Sequence, residues 1–387
     1  MIKSNFKSSW WLFLFYHYFS TKLKEQYAKI DKLVLEHLKN KWEKRDWIIK
    51  NTRDKKKYKI VDYQYRTRKT IYGLVTYKRR IYKYFDEKLQ KWIRVCLVDE
   101  WLELPKYKRI GKDIEQTIIE YFADGKRYRD IWDVIKKANI SLSTIHRVFN
   151  NLEVIETIPV KVKLEKNQPI FIAIDDGHRK FWNFKRKGIK HSMRLITTYT
   201  DNINHKLQNK RVKAIIRPTK TAIGVKKTAE FIKEHCQKFY ENVEQAKIII
   251  CGDSAGWIKD VADYLGAEFV LDKFHLIRTL YLGIMAGNKG KYWSEYNNCK
   301  NLIKNGQYDE LIDYLYNQLD NHKKLKKQYF KNNKKGIVNQ GASWNIGCFT
   351  ETNIWHVLKE MIANRTYNIL IYIKMVIFKC NKINLET

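Results

Sequence analysis

Two apolar runs in this sequence lead into carboxylates: Ile170 to Ile174 is followed by Asp175-Asp176, and Lys247 to Cys251 by Gly252-Asp253. A buried strand that stops at an aspartate presents it at the carboxyl edge of a sheet, where α/β proteins place their sites. Clustered carboxylates of this kind suit phosphoryl transfer on nucleic acid. There two divalent ions about 3.5–4 Å apart activate the attacking oxygen and stabilise the leaving one. Such a site needs a third acid. Glu351 opens the helical segment Glu351 to Leu358, from which a side chain can return to the two aspartates, and Glu360 is the competing acid on the same stretch. Each acid also has a plain structural reading. A strand-end aspartate serves equally as a turn residue or helix cap, and an acid at a helix start favours the macrodipole without any function. His275 completes a D-x-x-H arrangement with Asp272, and His178 follows the first aspartate pair. A lone histidine is more often structural than a ligand, so Asp272, His275 and His178 are read as supporting groups.

The elements that must position these residues follow from periodicity. His191 to Thr200 and Val212 to Ile216 read as strands after Ile170 to Ile174, and Val225, Ile232, Cys236 and Phe239 mark a helix. The strand Lys247 to Cys251 comes next, then a helix on Ile258, Val261, Ala262 and Leu265 stopped by Gly266, then the strand Glu268 to Leu271 ending at Asp272. This order predicts an RNase H-like mixed sheet. From His275 to about Gly341 the chain reads as a helical, lysine-rich insertion. Its run Lys323, Lys324, Lys326, Lys327, Lys331, Lys334 and Lys335 is either a backbone-contacting surface or a solvated stretch.

Upstream, Leu23, Tyr27, Ile30 and Val34 recur at helical spacing, predicting an amphipathic helix over Leu23 to Trp47 suited to packing or to dimerisation. Tyr58 to Tyr84 reads as a small antiparallel sheet with a basic face carrying Arg79 and Arg80. Three helices follow, marked by Ile114, Ile118 and Phe122, by Tyr128, Ile131, Trp132 and Ile135, and by Ile145, Val148, Phe149 and Leu152. Between the last two, Asn139 suits a left-handed turn, Ile140 a buried turn position, and Ser141 or Ser143 a helix cap, as a helix-turn-helix requires. Ser143, Thr144, His146 and Arg147 would then meet DNA. An ordinary packed helical hairpin has the same pattern. Pro159 and Pro169 bracket a basic, extended boundary.

Composition bounds the function. The 387 residues hold 76 Lys+Arg and 41 Asp+Glu, a net charge of +35, with 44 % hydrophobic residues. That is enough apolar material for two or three domains, and the charge attracts polyanions, nucleic acid foremost. Part of the lysine excess reflects AT-rich coding. The longest apolar run, Trp10 to Tyr16, is too short to span a bilayer. Lys22, Lys24, Glu25 and Gln26 follow it without the cleavage site that export requires. Six scattered cysteines form no C-x-x-C, which fits a reducing cytoplasm rather than a disulfide or zinc framework. Motifs of P-loop NTPases, dinucleotide-binding folds, rolling-circle initiators and G-x-S-x-G hydrolases are missing.

The segments Ile172 to His178, Cys251 to Lys259, Phe269 to Leu276 and Glu351 to Leu358 resemble the ISLre-type DDE transposases of bacterial insertion sequences. Thr76 to Tyr82, Val98-Asp99-Glu100 with Leu102, and Tyr128 to Val148 resemble that family's N-terminal region, so the likeness runs from about Trp47 to Asn364. The GD-x-A-x-W-I-K and LD-x-F-H-L blocks are its specific parts. Two positions depart from the pattern: Thr352 stands where glycine is expected, and Thr366 to Thr387 lacks an arginine-rich continuation.

The resemblance implies Asp175, Asp253 and Glu351 as catalytic and metal-binding residues holding two Mg2+ (or Mn2+) ions. Asp272 and His275 would form the signature after the second acid. It also implies double-stranded DNA, as terminal repeats and as target, as the partner of a homo-oligomer, with no membrane involved. The expected segments are an amphipathic helix (1–50), a small basic β-rich region (51–108), a helix-turn-helix-like domain (109–158), the first part of the core (169–275), a basic helical insertion (276–345) and the rest of the core (346–387). The expected activity is DNA strand cleavage and strand transfer. The alternatives are a replication-associated nicking protein of a phage or other mobile genome, and a DNA-binding protein that no longer cleaves.

Overall fold

The computed structural model describes residues 7–153, 160–182, 188–286, 290–319, 322, 324–362 and 367–386, with backbone alone for 7–21 and 386. Pro159, Lys323, Asn364 to Thr366, Thr387 and the side chains of Trp10 to Tyr16, all named above, lie outside the described set. The chain divides into two compact units: Met1–Phe122 with Lys126–Leu152, and Ala123–Gly125 with Glu153–Thr387.

In the first unit, helix α1 (Lys7–Thr52) is followed by strands β1 (Lys59–Thr70), β2 (Gly73–Asp86) and β3 (Lys91–Val95), an antiparallel sheet in the order β1-β2-β3. Gly73, at φ +138, closes the first hairpin where a side chain would be strained. β3 pairs only with the end of β2. The remaining edge of β2 is capped by α1: Lys78 N donates to Glu43 Oε1 at 2.9 Å and Arg80 N to Asp46 Oδ1 at 3.2 Å. Trp42 of α1 packs edge-on to Tyr77, forming a small core with Val75 and Val98.

The expected open basic face at Arg79 and Arg80 is corrected by these contacts. Arg79 lies on the packed side of β2 and pairs with buried Asp99, which also accepts from Arg66 and, at 2.7 Å, from Tyr77 Oη. Arg80 pairs with buried Asp46. Arg79 thereby stabilises this unit's interior, while Arg80, on the other face of β2, is held beside α1 by Asp46, because a buried carboxylate requires a partner.

Helices α2 (Lys112–Ala123), α3 (Tyr128–Ile135) and α4 (Leu142–Asn151) follow, burying Ile114, Ile118, Phe122, Ile131, Ile135, Ile145 and Phe149. The α3–α4 connection has Asn139 in the left-handed region at φ +51, Ile140 buried, and Ser141 capping α4 by accepting from Thr144 N at 3.3 Å.

The second unit is built on strands β4 (Pro169–Trp182), β5 (Gly188–Tyr199), β6 (Arg211–Pro218), β7 (Lys247–Gly252) and β8 (Glu268–Leu271), in the spatial order β8-β7-β4-β5-β6. β5 runs antiparallel to both β4 and β6; β7 is parallel to β4, and β8 to β7. Parallel pairing needs crossovers, which are supplied by α5 (Val225–Phe239) and α6 (Gly256–Tyr264). One sheet face, with Ile172, Ile174 and Ile250, packs on these helices and on α7 (Lys273–Ile284). The opposite face, with Phe171, Ala173, Tyr199, Ile249 and Cys251, is covered by Trp344, Ile346, Cys348 and Phe349.

Between α7 and residue 341 the described chain is largely helical, and Cys299, Ile303, Leu311, Phe330 and Ile337 bury into the core on the α5–α7 face of the sheet. Of its lysine run, Lys324, Lys326, Lys331, Lys334 and Lys335 are exposed. After α8 (Thr350–Ile354) the helical course continues to Ile362 through a wider π-type stretch, Trp355–Lys359. The divergent tail forms α9 (Ile369–Glu386), which covers the free edge of β6: Asn384 accepts from Val212 N at 2.7 Å and donates to Val212 O at 3.0 Å. Among the described residues no helix is long and apolar enough to cross a membrane.

Candidate active site

Asp175 does not end its strand. β4 runs on to Trp182 against β5, pairing Asp175 with Leu195, whereas its parallel pairing with β7 stops at Ala173–Cys251. Asp175 and Asp253 each lie two residues beyond that last pair, so they stand together where the two ladders part. Side chains alternate along a strand. Phe171, Ala173 and Cys251 all face the side covered by residues 344–349, and Asp175 continues that parity.

Gly252 is required for this approach, since a Cβ there would meet Ile258 at 2.8 Å and the Ile174 carbonyl oxygen at 3.1 Å. Each carboxylate is fixed locally, Asp175 Oδ1 accepting from Asp176 N at 2.7 Å and Asp253 Oδ1 from Ala255 N at 2.9 Å. Burial pushes the Asp175 carboxyl up to about 6. The Asp176 N–H opposes this, the Asp253 charge adds to it, and Lys359 opposes it. The partly buried pair of acids offers oxygen donors of the kind a divalent cation takes, whereas the Lys359 ammonium is a competing charge and not a ligand.

The alternation separates the neighbouring residues. Asp176 points to the other face, where Arg194 grips it with two bonds of 2.8 and 2.9 Å and Arg217 adds an ion pair at 3.6 Å. Arg194 is itself buried and stacked 3.7 Å over Trp257. His178 shares the parity of Asp176 and is exposed, so the strand's two-residue period places it away from Asp175. His275 is half-buried on α7 and packs edge-on to Phe274 at 5.6 Å.

Glu351 lies on α8, which packs against β4. The α8 start is held by Thr350, whose hydroxyl donates to buried Asp272 at 2.5 Å. Asp272 also caps α7 by accepting from Phe274 N at 2.8 Å. Glu351 itself is exposed. Among the described residues no group of three or more His, Cys, Asp or Glu is gathered tightly enough to hold a metal ion. The expected three-carboxylate cluster is therefore present as an aspartate pair with the glutamate separate, because the residue before Glu351 is tethered while Glu351 faces solvent.

Sequence reasoning missed three participants. Lys359 carries its signal in the spacing, two helical turns after Glu351, but Arg194 and Thr350 give none, being defined by cross-strand register and tertiary packing.

In the first unit, Ser143, His146 and Arg147 are exposed on α4, and Asn150, overlooked in the sequence, shares their face and bonds the His146 ring at 3.2 Å. The Thr144 hydroxyl lies 2.9 Å from Ser141 Oγ, so Thr144 belongs to the cap.

A family model described as an uncharacterised protein family (UPF0236) matches residues 14–340. A UPF0236 protein of Caldanaerobacter subterraneus subsp. tengcongensis is 26 % identical over 348 residues, covering 86 % of this chain and 71 % of the relative. A second from the same organism, whose name joins eleven locus designations, is 26 % identical over 346 residues, with 86 % and 70 % covered. Among solved structures, the Mos1 strand transfer complex aligns over 60 % of this chain and 79 % of that one at 9 % identity. Its TM-score of 0.19 is too low to carry any argument.

Proposed function

The chain belongs to UPF0236, an uncharacterised protein family, and on that premise we propose that it is a DDE-type DNA transposase with an RNase H-like catalytic core. The observation that carries the reading is the meeting of Asp175 and Asp253 where the parallel and antiparallel ladders part. The sheet supports it: three antiparallel strands followed by two parallel ones, in the order β8-β7-β4-β5-β6, is the arrangement an RNase H-like core requires. The name of one relative joins eleven locus designations in one organism, which is consistent with coding DNA that is copied within a genome.

Asp175 and Asp253 would hold the two Mg2+ or Mn2+ ions, with Glu351 as the third carboxylate and Asp272 and His275 supporting. When bound, the ions activate water for attack on a phosphodiester and stabilise the leaving oxygen. The chain's own residues do the rest. Asp253 and Asp175 orient the reacting phosphate's counter-charge, Lys359 adds a cation beside Asp175, and Arg194 holds the neighbouring Asp176 out of the site. Hydrolysis would free a 3′-OH; in strand transfer that oxygen would bond to a target phosphorus while the P–O3′ bond of the target strand breaks, leaving a free 3′-OH there. In the first unit, α4 reads terminal repeats in the major groove through Ser143, His146 and Arg147. The protein acts in the cytoplasm as a homo-oligomer on double-stranded DNA.

The separation of Glu351 from the aspartate pair favours one second reading, a DNA-binding protein that does not cleave. Nicking and end-joining on a plasmid carrying the flanking DNA, with Mg2+ or Mn2+, decides between them, using folded wild type and Asp253→Ala. The transposase reading expects metal-dependent products only from wild type. Products from both proteins would overturn the site, and tight binding without products from wild type would establish the second reading.

A further inference from the structure

The outer face of the N-terminal sheet is not the polar surface such a sheet ordinarily turns to water. Its other face is packed, Val75 and Tyr77 lying against Trp42, and a one-sided antiparallel sheet alternates apolar inward with polar outward. Outward here are Tyr63 and Tyr65, two residues apart on β1 and 46 % and 67 % exposed. Directly across on β2 stand Arg80, opposite Tyr63, and Lys78, opposite Tyr65. Both cations approach the Tyr63 ring, at 5.2 and 4.9 Å. Strands β1 to β3 carry ten Lys and Arg against two Asp.

We propose that this face binds single-stranded DNA, bases stacking on Tyr65 and Tyr63 and phosphates following Lys78 and its neighbours. Two features select a single-stranded polyanion. The charge requires a polyanion. Exposed rings add nothing to a duplex, whose bases are stacked on each other, but gain about 1–3 kcal/mol per base from a single strand. The inference does not depend on the catalytic reading, since it concerns binding by another unit of the chain.

The test is fluorescence anisotropy of the full chain with a labelled oligothymidylate, an oligouridylate of equal length and a duplex of unrelated sequence. Tyr65→Ala is expected to weaken oligothymidylate binding about 5- to 150-fold while leaving the duplex unchanged. Tyr65→Trp is expected to restore it, and Lys78→Gln to lower the salt dependence of single-strand binding by a slope of about 0.7. Tyr65 is exposed, so its replacement leaves the fold intact; an unchanged circular dichroism melt verifies that. Equal losses on single strand and duplex, or no loss on either, would overturn the proposal, and tighter binding of oligouridylate would reassign the face to RNA.

Discussion

Thr350 Oγ1 donates a buried 2.5 Å hydrogen bond to Asp272 Oδ2, and the Asp272 backbone N–H donates at 2.7 Å to the carbonyl of Gly252. One aspartate thus ties the residue before Glu351 to the residue before Asp253, although the three segments are far apart in the chain. In the transposase reading Asp272 is a positioning residue. Thr350→Val leaves a buried carboxylate oxygen without its donor, a cost of about 1–3 kcal/mol. It is expected to lower nicking by about 10- to 100-fold through misplacement of α8, with Thr350→Ser restoring it. Equal activity in all three proteins, measured on the same plasmid, would remove Asp272 from this role.

Divalent cations should stabilise wild type through the aspartate pair. Titrating Mn2+ into apo protein is expected to raise the melting temperature of wild type and to leave Asp175→Asn unmoved, since ligand binding to the native state alone adds stability by mass action. Identical shifts in both proteins would place the cation elsewhere.

Arg194 is expected to be a stability residue. Arg194→Met leaves Asp176 half-buried with only Arg217 nearby, and removal of one partner from a buried pair costs about 3–5 kcal/mol. Urea unfolding should show that loss, and a change below about 1 kcal/mol, the scale of exposed pairs, would show the pair to be dispensable.

His235 should make the second unit acid-labile. It is buried on α5, its Nε2 lying 3.3 Å from Thr198 Oγ1, and burial, followed by the Lys213 charge, lowers its pKa to about 3 from an ordinary 6.5. Between those values the unfolded chain takes up the proton and the folded one does not. Stability is therefore full above about pH 6.5 and falls as the pH drops toward 3, by a few kcal/mol. Replacement by a residue that does not titrate, His235→Gln, is expected to flatten that slope in melts between pH 7 and about 4. An unchanged slope would assign the acid sensitivity to other groups.

Arg147 on α4 is predicted to contribute to duplex binding. Arg147→Ala should weaken binding to terminal-repeat DNA about 5- to 150-fold if it contacts a base edge, and Thr144→Ala should act mainly through the α4 cap, lowering stability of the first unit. Unchanged affinity for Arg147→Ala in an electrophoretic mobility assay would remove α4 from the interface.

Local pattern was enough for much of this protein. The apolar runs before Asp175 and Asp253 announce strands because they are short, rich in β-branched isoleucine and bounded by turn-forming residues, as buried strands are. The Asn139, Ile140 and Ser141 turn is legible because each residue type has one backbone use there. The net charge of +35 is likewise a property of composition alone. What the chain pattern does not contain is partner choice. Arg79 and Arg80 look like an open basic pair, but buried Asp99 and Asp46, distant in sequence, draw them in. His178 looks like a neighbour of Asp175 until strand alternation turns it away. Glu351 stands one residue beyond a tethered threonine and faces solvent, apart from the two aspartates. The tail, which reads as divergent sequence, is the helix that closes the β6 edge through Asn384. Periodicity and composition act within a few residues and need no fold. Which polar group meets which partner depends on register and packing between segments as distant as Val212 and Asn384, 172 positions apart, and only the assembled tertiary structure decides that.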